Sequence, residues 1–285
     1  MIGTGTVPLA ALERVVGAAL DEDLGERGDV TSGMLGGVRA EAELVARWPG
    51  VICGLPAVAV VLDQVAAWLG SGAATAELCA RDGDRVERGV VLARLAGPVP
   101  TVLAAERTAL NLVGRLSGVA TLTAAFVAAV AGTGTVVRDT RKTTPGLREL
   151  EKYAVRCGGG ANHRMGLYDA LLVKDNHIRA AGNLAAAVAA ARAAGPDLPL
   201  EVEVETLDEV RAALDLGCDL LLLDNMPLAE MTAAVRLAGG RARLEASGGI
   251  TLDTVRAVAE TGVDYLAVGA LTHAAPALDV ALDWP

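Results

Sequence analysis

Five of the chain's six lysine and histidine residues fall between positions 142 and 177: Lys142, Lys152, His163, Lys174 and His177, with only His273 outside. Arg141 and Arg164 sit beside members of this set. Elsewhere the chain draws its positive charge from arginine, and a compact ammonium does not interchange with a planar guanidinium. Five basic groups in one region, Arg141, Lys142, His163, Arg164 and Lys174, match a small polyanion carrying several carboxylates or phosphates. Ion pairing with nearby acids is the structural alternative. Lys152 is expected on the solvated face of a helix.

Acidic groups recur at matching places. In "LEVEVE" (200–205) alternation puts Glu201, Glu203 and Glu205 on one strand face and Val202 and Val204 on the other. If the valines pack under helices, the three carboxylates point inward, where they repel one another. Bases, a divalent cation or sugar hydroxyls would make them tolerable; an edge strand with its glutamates in water is the alternative. Asp224 closes "DLLLLDN". Ser247, Gly248 and Gly249 precede a helix expected from about Leu252 to Glu260, and backbone N–H groups at such a place can hold a phosphate. Gly269, in "AVGALTH", gives a second glycine-containing strand end.

The elements that must position these residues are legible in the pattern. Helical spacing runs over Pro8–Leu20 and Leu55–Leu69, a strand over Glu41–Arg47, short β-like runs over 82–103, and an Ala/Leu-rich helical stretch over Ala104–Val130. From Gly132 strands and helices alternate: "TVVRDT", a helix in "GLRELEKYAVRCGG", "ALLVKDN", helix 184–194, "LEVEVE", helix 207–216, "DLLLLDN", helix 228–238, "RLEASGG", helix 252–260, "YLAVGA". Repeated βα units build a parallel sheet, and five or six of them suggest an incomplete barrel. No G-x-G-x-x-G follows a first strand, which weighs against an open dinucleotide-binding sheet. In a barrel the C-terminal strand ends form the site, and every strand here carries ionisable or backbone-donating groups to that rim.

Composition narrows the classes. The 285 residues are 52% hydrophobic but only 2% aromatic, so stacking platforms for single-stranded nucleic acid are scarce. A net charge of -10 disfavours nucleic-acid and anionic-membrane surfaces. Cys53, Cys79, Cys157 and Cys218 form no C-x-x-C pair and are expected as buried free thiols. No basic-then-apolar signal and no uninterrupted apolar run of about 18 residues is present, so a soluble cytoplasmic protein without a membrane span is expected.

The stretch "RDTRKTTPGLRELEKYAVRCGGGANHRMGLYDALLVKDNHI" (138–178) resembles the signature of the quinolinate phosphoribosyltransferase family. The likeness continues in "EVEVET", "LLLDNM", "EASGGI", "ALDEDLGERGDVTS" (19–32) and "AERTALNLVGRLSGVATLT" (105–123). The resemblance implies an N-terminal α/β sandwich, residues 1–117 joined by the tail at about 275–285, and an incomplete α/β barrel over 118–274. It implies transfer of phosphoribosyl from 5-phosphoribosyl 1-pyrophosphate to quinolinate with Mg²⁺, releasing pyrophosphate and CO₂ and yielding nicotinate mononucleotide for NAD synthesis. It further implies a homodimer, or an oligomer of dimers, in which Arg107 reaches the partner's active site.

Carried over by position, Arg141, His163 and Arg164 resemble the quinolinate carboxylate binders, with Thr140 beside them. Lys142 and Lys174 bridge toward the pyrophosphate side. Glu203 and Asp224 serve the ribose hydroxyls and Mg²⁺, the latter through water, and with the two lysines form the catalytic set. Ser247, Gly248 and Gly249, with Val268, Gly269 and Ala270, match the 5′-phosphate cradle, and His273 is placed near it. The resemblance leaves Glu201 and Glu205 without an assigned role. A nicotinate-type transferase without decarboxylation and a Schiff-base lyase using Lys174 are the alternative activities.

Overall fold

The computed structural model describes residues 5–284. In chain order its elements are α1 (Leu9–Leu24), β1 (Arg39–Ala46), β2 (Gly50–Val51), α2 (Pro56–Leu69), β3 (Thr75–Leu78), β4 (Arg85–Val86), β5 (Val91–Pro98), α3 (Val99–Ala129), β6 (Val136–Arg138), α4 (Arg148–Cys157), β7 (Leu171–Val173) and α5 (Asp175–Ala181). There follow α6 (Leu184–Ala194), β8 (Leu200–Val204), α7 (Leu207–Asp215), β9 (Leu220–Asp224), α8 (Leu228–Ala238), β10 (Arg243–Ser247), α9 (Val255–Ala259), β11 (Tyr265–Ala267), α10 (Ala270–His273) and β12 (Val280–Asp283). The chain divides into two compact units: Met1–Ala124, Thr143–Gly159 and Leu271–Pro285 form one, Ala125–Lys142 and Gly160–Ala270 the other.

The first unit is built on an antiparallel sheet in the order β12-β1-β5-β3, so the C-terminal strand pairs with β1, from Glu43↔Asp283 to Ala46↔Val280. α3 is long and apolar enough, by length and composition, to cross a membrane. Glu106, Arg107 and Arg115 break up its apolar run, which is why the sequence shows no uninterrupted one. Its polar groups bond inside the first unit: Ser117 Oγ accepts the Cys53 N–H at 2.9 Å and Thr121 Oγ1 that of Val51 at 2.9 Å. Arg115 donates to Glu151 Oε1 at 2.7 Å and to the Ala275 carbonyl at 2.9 Å. These are the contacts of an interior helix. A glycine costs a helix interior about 1 kcal/mol, and Gly118 is there for proximity: a Cβ on it would lie 2.1 Å from the Pro276 carbonyl oxygen.

Two expectations fail in this unit. Lys152 is not on a solvated face; it is fully buried, because α4 is covered from Leu150 through Val155. Cys79 is exposed, while Cys53, Cys157 and Cys218 are buried; all four are free thiols.

The second unit is a six-stranded parallel sheet in the order β6-β11-β10-β9-β8-β7, a barrel that does not close. One face of the strands packs under helices: Val202, Val204, Leu221, Leu223, Leu244 and Ala246 are buried. Successive side chains alternate, so Glu201 and Glu203 of β8, Asp224 of β9, and Glu245 and Ser247 of β10 face the other way. Register sets Asp224 level with Ser247. Glu205 departs from the expected inward trio: it lies past the end of β8, exposed, with its N–H bonded to Glu209 at 2.8 Å. There Thr206 and Glu209 form the reciprocal cap that starts α7. On the free edge of β6, Ala161 makes a parallel bridge to Arg138, which ties the segment carrying His163 and Arg164 to the sheet.

Candidate active site

At the C-terminal strand ends of the second unit lies a cavity of about 540 Å³. Each strand delivers to it. After β6 come Thr140, Arg141 and Lys142; the bridged segment brings His163 and Arg164; β7 brings Leu172 and Lys174; β8 brings Glu203. β9 contributes Leu222, Asp224 and Asn225, β10 contributes Ser247, Gly248 and Gly249, and β11 contributes Ala267. Four cations and two carboxylates thus line a hollow in a chain whose total charge is -10.

The polar groups are held individually. Lys174 Nζ lies 2.6 Å from Glu203 Oε2, with Glu203 nearly buried and Lys174 half exposed. The Lys174 N–H donates to His177 Nδ1 at 2.9 Å, so His177 organises the start of α5 and is absent from the cavity lining. Asn225 Nδ2 donates to Asp224 Oδ2 at 2.8 Å. Asn225 is the one non-glycine with positive φ among the described residues (52°), a conformation asparagine tolerates better than most. Its N–H donates to the Ser247 carbonyl at 2.9 Å, fixing the β9 end against the glycine turn. Burial, and next the neighbouring Arg141 charge, lower the pKa of the Arg164 guanidinium. The negative charge of a bound carboxylate would offset both effects.

Eleven of the residues singled out from the sequence meet here: Thr140, Arg141, Lys142, His163, Arg164, Lys174, Glu203, Asp224, Ser247, Gly248 and Gly249. The others do not line the cavity. Val268 is buried, and Gly269 and Ala270, just beyond β11, are half-buried. His273 and Arg107 are exposed residues of the first unit, Arg107 on α3. The helix expected from about Leu252 starts only at Val255 and is five residues long, so the glycine turn is a loop rather than a helix N-terminus. Leu172, Leu222, Asn225 and Ala267 join the lining without having been selected; the "DN" pair at a strand end was the available signal for Asn225.

An open parallel barrel with a cation-lined hollow at its C-terminal rim is a scaffold for binding small polyanions. Family models agree with the particulars. The N-terminal domain of quinolinate phosphoribosyl transferase matches residues 29–117, and the C-terminal domain matches 119–283. The chain belongs to this family. It is 47% identical over 270 residues to the nicotinate-nucleotide pyrophosphorylase [carboxylating] of Mycobacterium leprae, covering 93% of this chain and 94% of that one. A probable enzyme of the same name from Bacillus subtilis is 43% identical over 264 residues, covering 92% and 89%. Among solved structures, the nicotinate-nucleotide pyrophosphorylase of Francisella tularensis superposes with a TM-score of 0.94 at 38% identity, covering 99% of each chain.

Proposed function

We propose that the chain transfers the phosphoribosyl group of 5-phosphoribosyl 1-pyrophosphate to quinolinate, with loss of CO₂, to give nicotinate mononucleotide in NAD synthesis. The observation that carries this is the convergence of Arg141, Lys142, Arg164 and Lys174 with Glu203 and Asp224 in one cavity, in a chain matching the family over nearly its whole length. Both reactants are multiply charged anions, and one charge pair at about 4 Å is worth roughly 4 kcal/mol at intermediate dielectric before desolvation. Several cations are needed to bring such reactants side by side, and the resulting proximity supplies much of the rate.

In this reading Arg141 and Arg164 hold the two carboxylates, and Thr140 and His163 complete that end. Lys142 and Lys174 lie between quinolinate and the pyrophosphate, and Ser247, Gly248 and Gly249 take the 5′-phosphate, with Val268, Gly269, Ala270 and His273 as its outer support. Glu203 and Asp224 receive the ribose hydroxyls. As hard oxygen donors these two also suit Mg²⁺ held through water, which when bound spreads the charge of the departing pyrophosphate. The pyridine nitrogen attacks the anomeric carbon and the bond to pyrophosphate breaks. The pyridinium draws electron density from the ring carbon bearing the 2-carboxylate, CO₂ leaves, and that carbon takes a proton.

A Schiff-base role for Lys174 is disfavoured, because its ammonium is paired with Glu203 at 2.6 Å and a protonated amine is no nucleophile. The working unit is a homodimer or an assembly of dimers, with Arg107 of the partner subunit entering the cavity; its exposure on α3 is compatible with that reach. A reducing cytoplasm suits the four free thiols. The test is incubation of pure protein with quinolinate, 5-phosphoribosyl 1-pyrophosphate and Mg²⁺. Equal amounts of nicotinate mononucleotide and CO₂ are expected. Turnover of nicotinate without CO₂ release would replace this reading with the nicotinate-type transferase.

A further inference from the structure

Beneath the cavity floor lies a cluster to which the reaction assigns nothing: Glu201 and Glu245, both buried, facing the His163 ring. His163 Nε2 lies 2.8 Å from Glu201 Oε2 and 3.6 Å from Glu245 Oε1. Glu245 Oε2 is ion-paired with Arg138, whose guanidinium also stacks 4.5 Å above the Tyr265 ring. Three possible ligand atoms within 4.8 Å of one another resemble a cation site. The hydrogen bonding argues otherwise. His163 Nδ1 accepts the Arg164 N–H at 2.7 Å, so Nδ1 carries no proton and the ring's proton sits on Nε2, pointed at Glu201. A nitrogen bearing that proton cannot ligate a metal.

Both ring nitrogens are therefore used inside the protein. The ring grips Glu201 with one nitrogen and the backbone of its neighbour with the other. The same turn is held at its base by Asp139, buried, whose Oδ1 accepts the His163 N–H at 2.9 Å. Arg164 is steadied at its far end by donation from Nη1 to the Ala170 carbonyl at 3.1 Å. We propose that Glu201, backed by Glu245, is a positioning residue for carboxylate binding: it anchors the His163 ring through Nε2, and the ring fixes the backbone from which Arg164 reaches into the cavity. His163 then completes the carboxylate end of the site as a bracket for Arg164.

This rests on the reading of Arg164 as a carboxylate binder, so the test separates the two. Steady-state kinetics of the full-length enzyme, with each substrate varied in turn, are combined with ¹⁵N spectra of the imidazoles, tractable with only three histidines. Glu201→Ala removes the acceptor. It raises KM for quinolinate about ten- to a hundredfold, the range that loss of a charge-assisted hydrogen bond supports, and leaves KM for the sugar pyrophosphate within about twofold. Its His163 Nε2 resonance shifts, because the N–H there loses its carboxylate acceptor while Nδ1 still accepts the Arg164 N–H. Glu201→Gln keeps an oxygen that can accept the same bond, so it retains that resonance and most of the quinolinate affinity.

A merely structural role would shift both KM values together and would show no rescue by glutamine; that result overturns the proposal. So does a wild-type spectrum with the proton on Nδ1, a measurement that stands even if Glu201→Ala fails to fold. A defect in Arg164→Ala without one in Glu201→Ala overturns the positioning role alone. An unchanged quinolinate KM in Arg164→Ala overturns the site reading, and the positioning role with it.

Discussion

The glycine turn after β10 gives two substitutions that differ in one physical respect. Gly248 has φ +99° and Gly249 has φ +59°. A Cβ on Gly248 would lie 2.0 Å from Asn225 Oδ1, 2.6 Å from its Cγ and 3.1 Å from its backbone nitrogen, whereas a Cβ on Gly249 meets nothing within 4 Å. Gly249→Ala therefore incurs only left-handed backbone strain, about 1–2 kcal/mol. Gly248→Ala incurs strain of about 1–3 kcal/mol and must also push Asn225 aside, breaking its hydrogen bond to Asp224, a further loss of about 1 kcal/mol. Urea denaturation should rank Gly248→Ala roughly 1–2 kcal/mol less stable than Gly249→Ala. Because the turn is assigned to the 5′-phosphate, Gly248→Ala should raise KM for 5-phosphoribosyl 1-pyrophosphate about tenfold or more and leave that for quinolinate within about twofold. Equal stability losses in the two variants would show that Asn225 yields freely. A quinolinate KM that moves as far as that of the sugar donor would refute the cradle assignment.

Three further outcomes are expected. Arg107→Ala and Lys142→Ala should each be nearly inactive alone, yet mixed subunits should recover about a quarter of wild-type activity, since half of random dimers are hybrids with one intact site of two; no recovery would mean that Arg107 does not act across a dimer. The Glu245 carboxyl is pushed up from 4.5 to about 7, by burial first and the Glu201 charge second. The folded state thus holds that proton more tightly, and the resulting stabilisation is complete below pH 4.5 and lost as pH rises through about 7. Denaturation of Glu245→Gln should match wild type near pH 5 and exceed it by roughly 3 kcal/mol near pH 8; parallel pH profiles would refute this. Glu203→Gln leaves the Lys174 ammonium without its carboxylate partner, so pyrophosphate measured in chelator should bind several-fold more tightly while turnover falls; unchanged pyrophosphate affinity would show that the pair does not restrain the lysine.

The second unit was the more legible half of the chain. Apolar strands between helices are short-range patterns, and the helices expected over 184–194 and 228–238 occupy those limits. Polar ends on those strands brought eleven site residues together because parallel βα connectivity leaves the C-terminal ends one common rim. The misses involve contacts distant in sequence. Lys152 looks solvated on a helix rich in charge, and only the packing around α4 buries it. Glu205 fits the alternation of β8 but falls where the Thr206 cap ends the strand. The pairing of β12 with β1 spans more than 230 residues, and no local pattern announces it.

The two acids beneath the floor also answer an electrostatic difficulty. Burial, and next the Arg141 charge, disfavour the charge of Arg164, while the Glu201 charge works the opposite way. A cavity built of cations alone would strain the free protein and would relax only with substrate bound. One lined with paired ions throughout would offer quinolinate nothing. The arrangement lies between these limits. Lys174 is paired with Glu203, Arg138 with Glu245, and His163 is anchored on Glu201, and above them the cavity lining carries four cations against two carboxylates. The lower layer is compensated inside the fold and holds its shape; the upper layer keeps an excess of positive charge that a dicarboxylate can neutralise. Four cations against two carboxylates in the lining let a chain of net charge -10 concentrate two anionic reactants in one place.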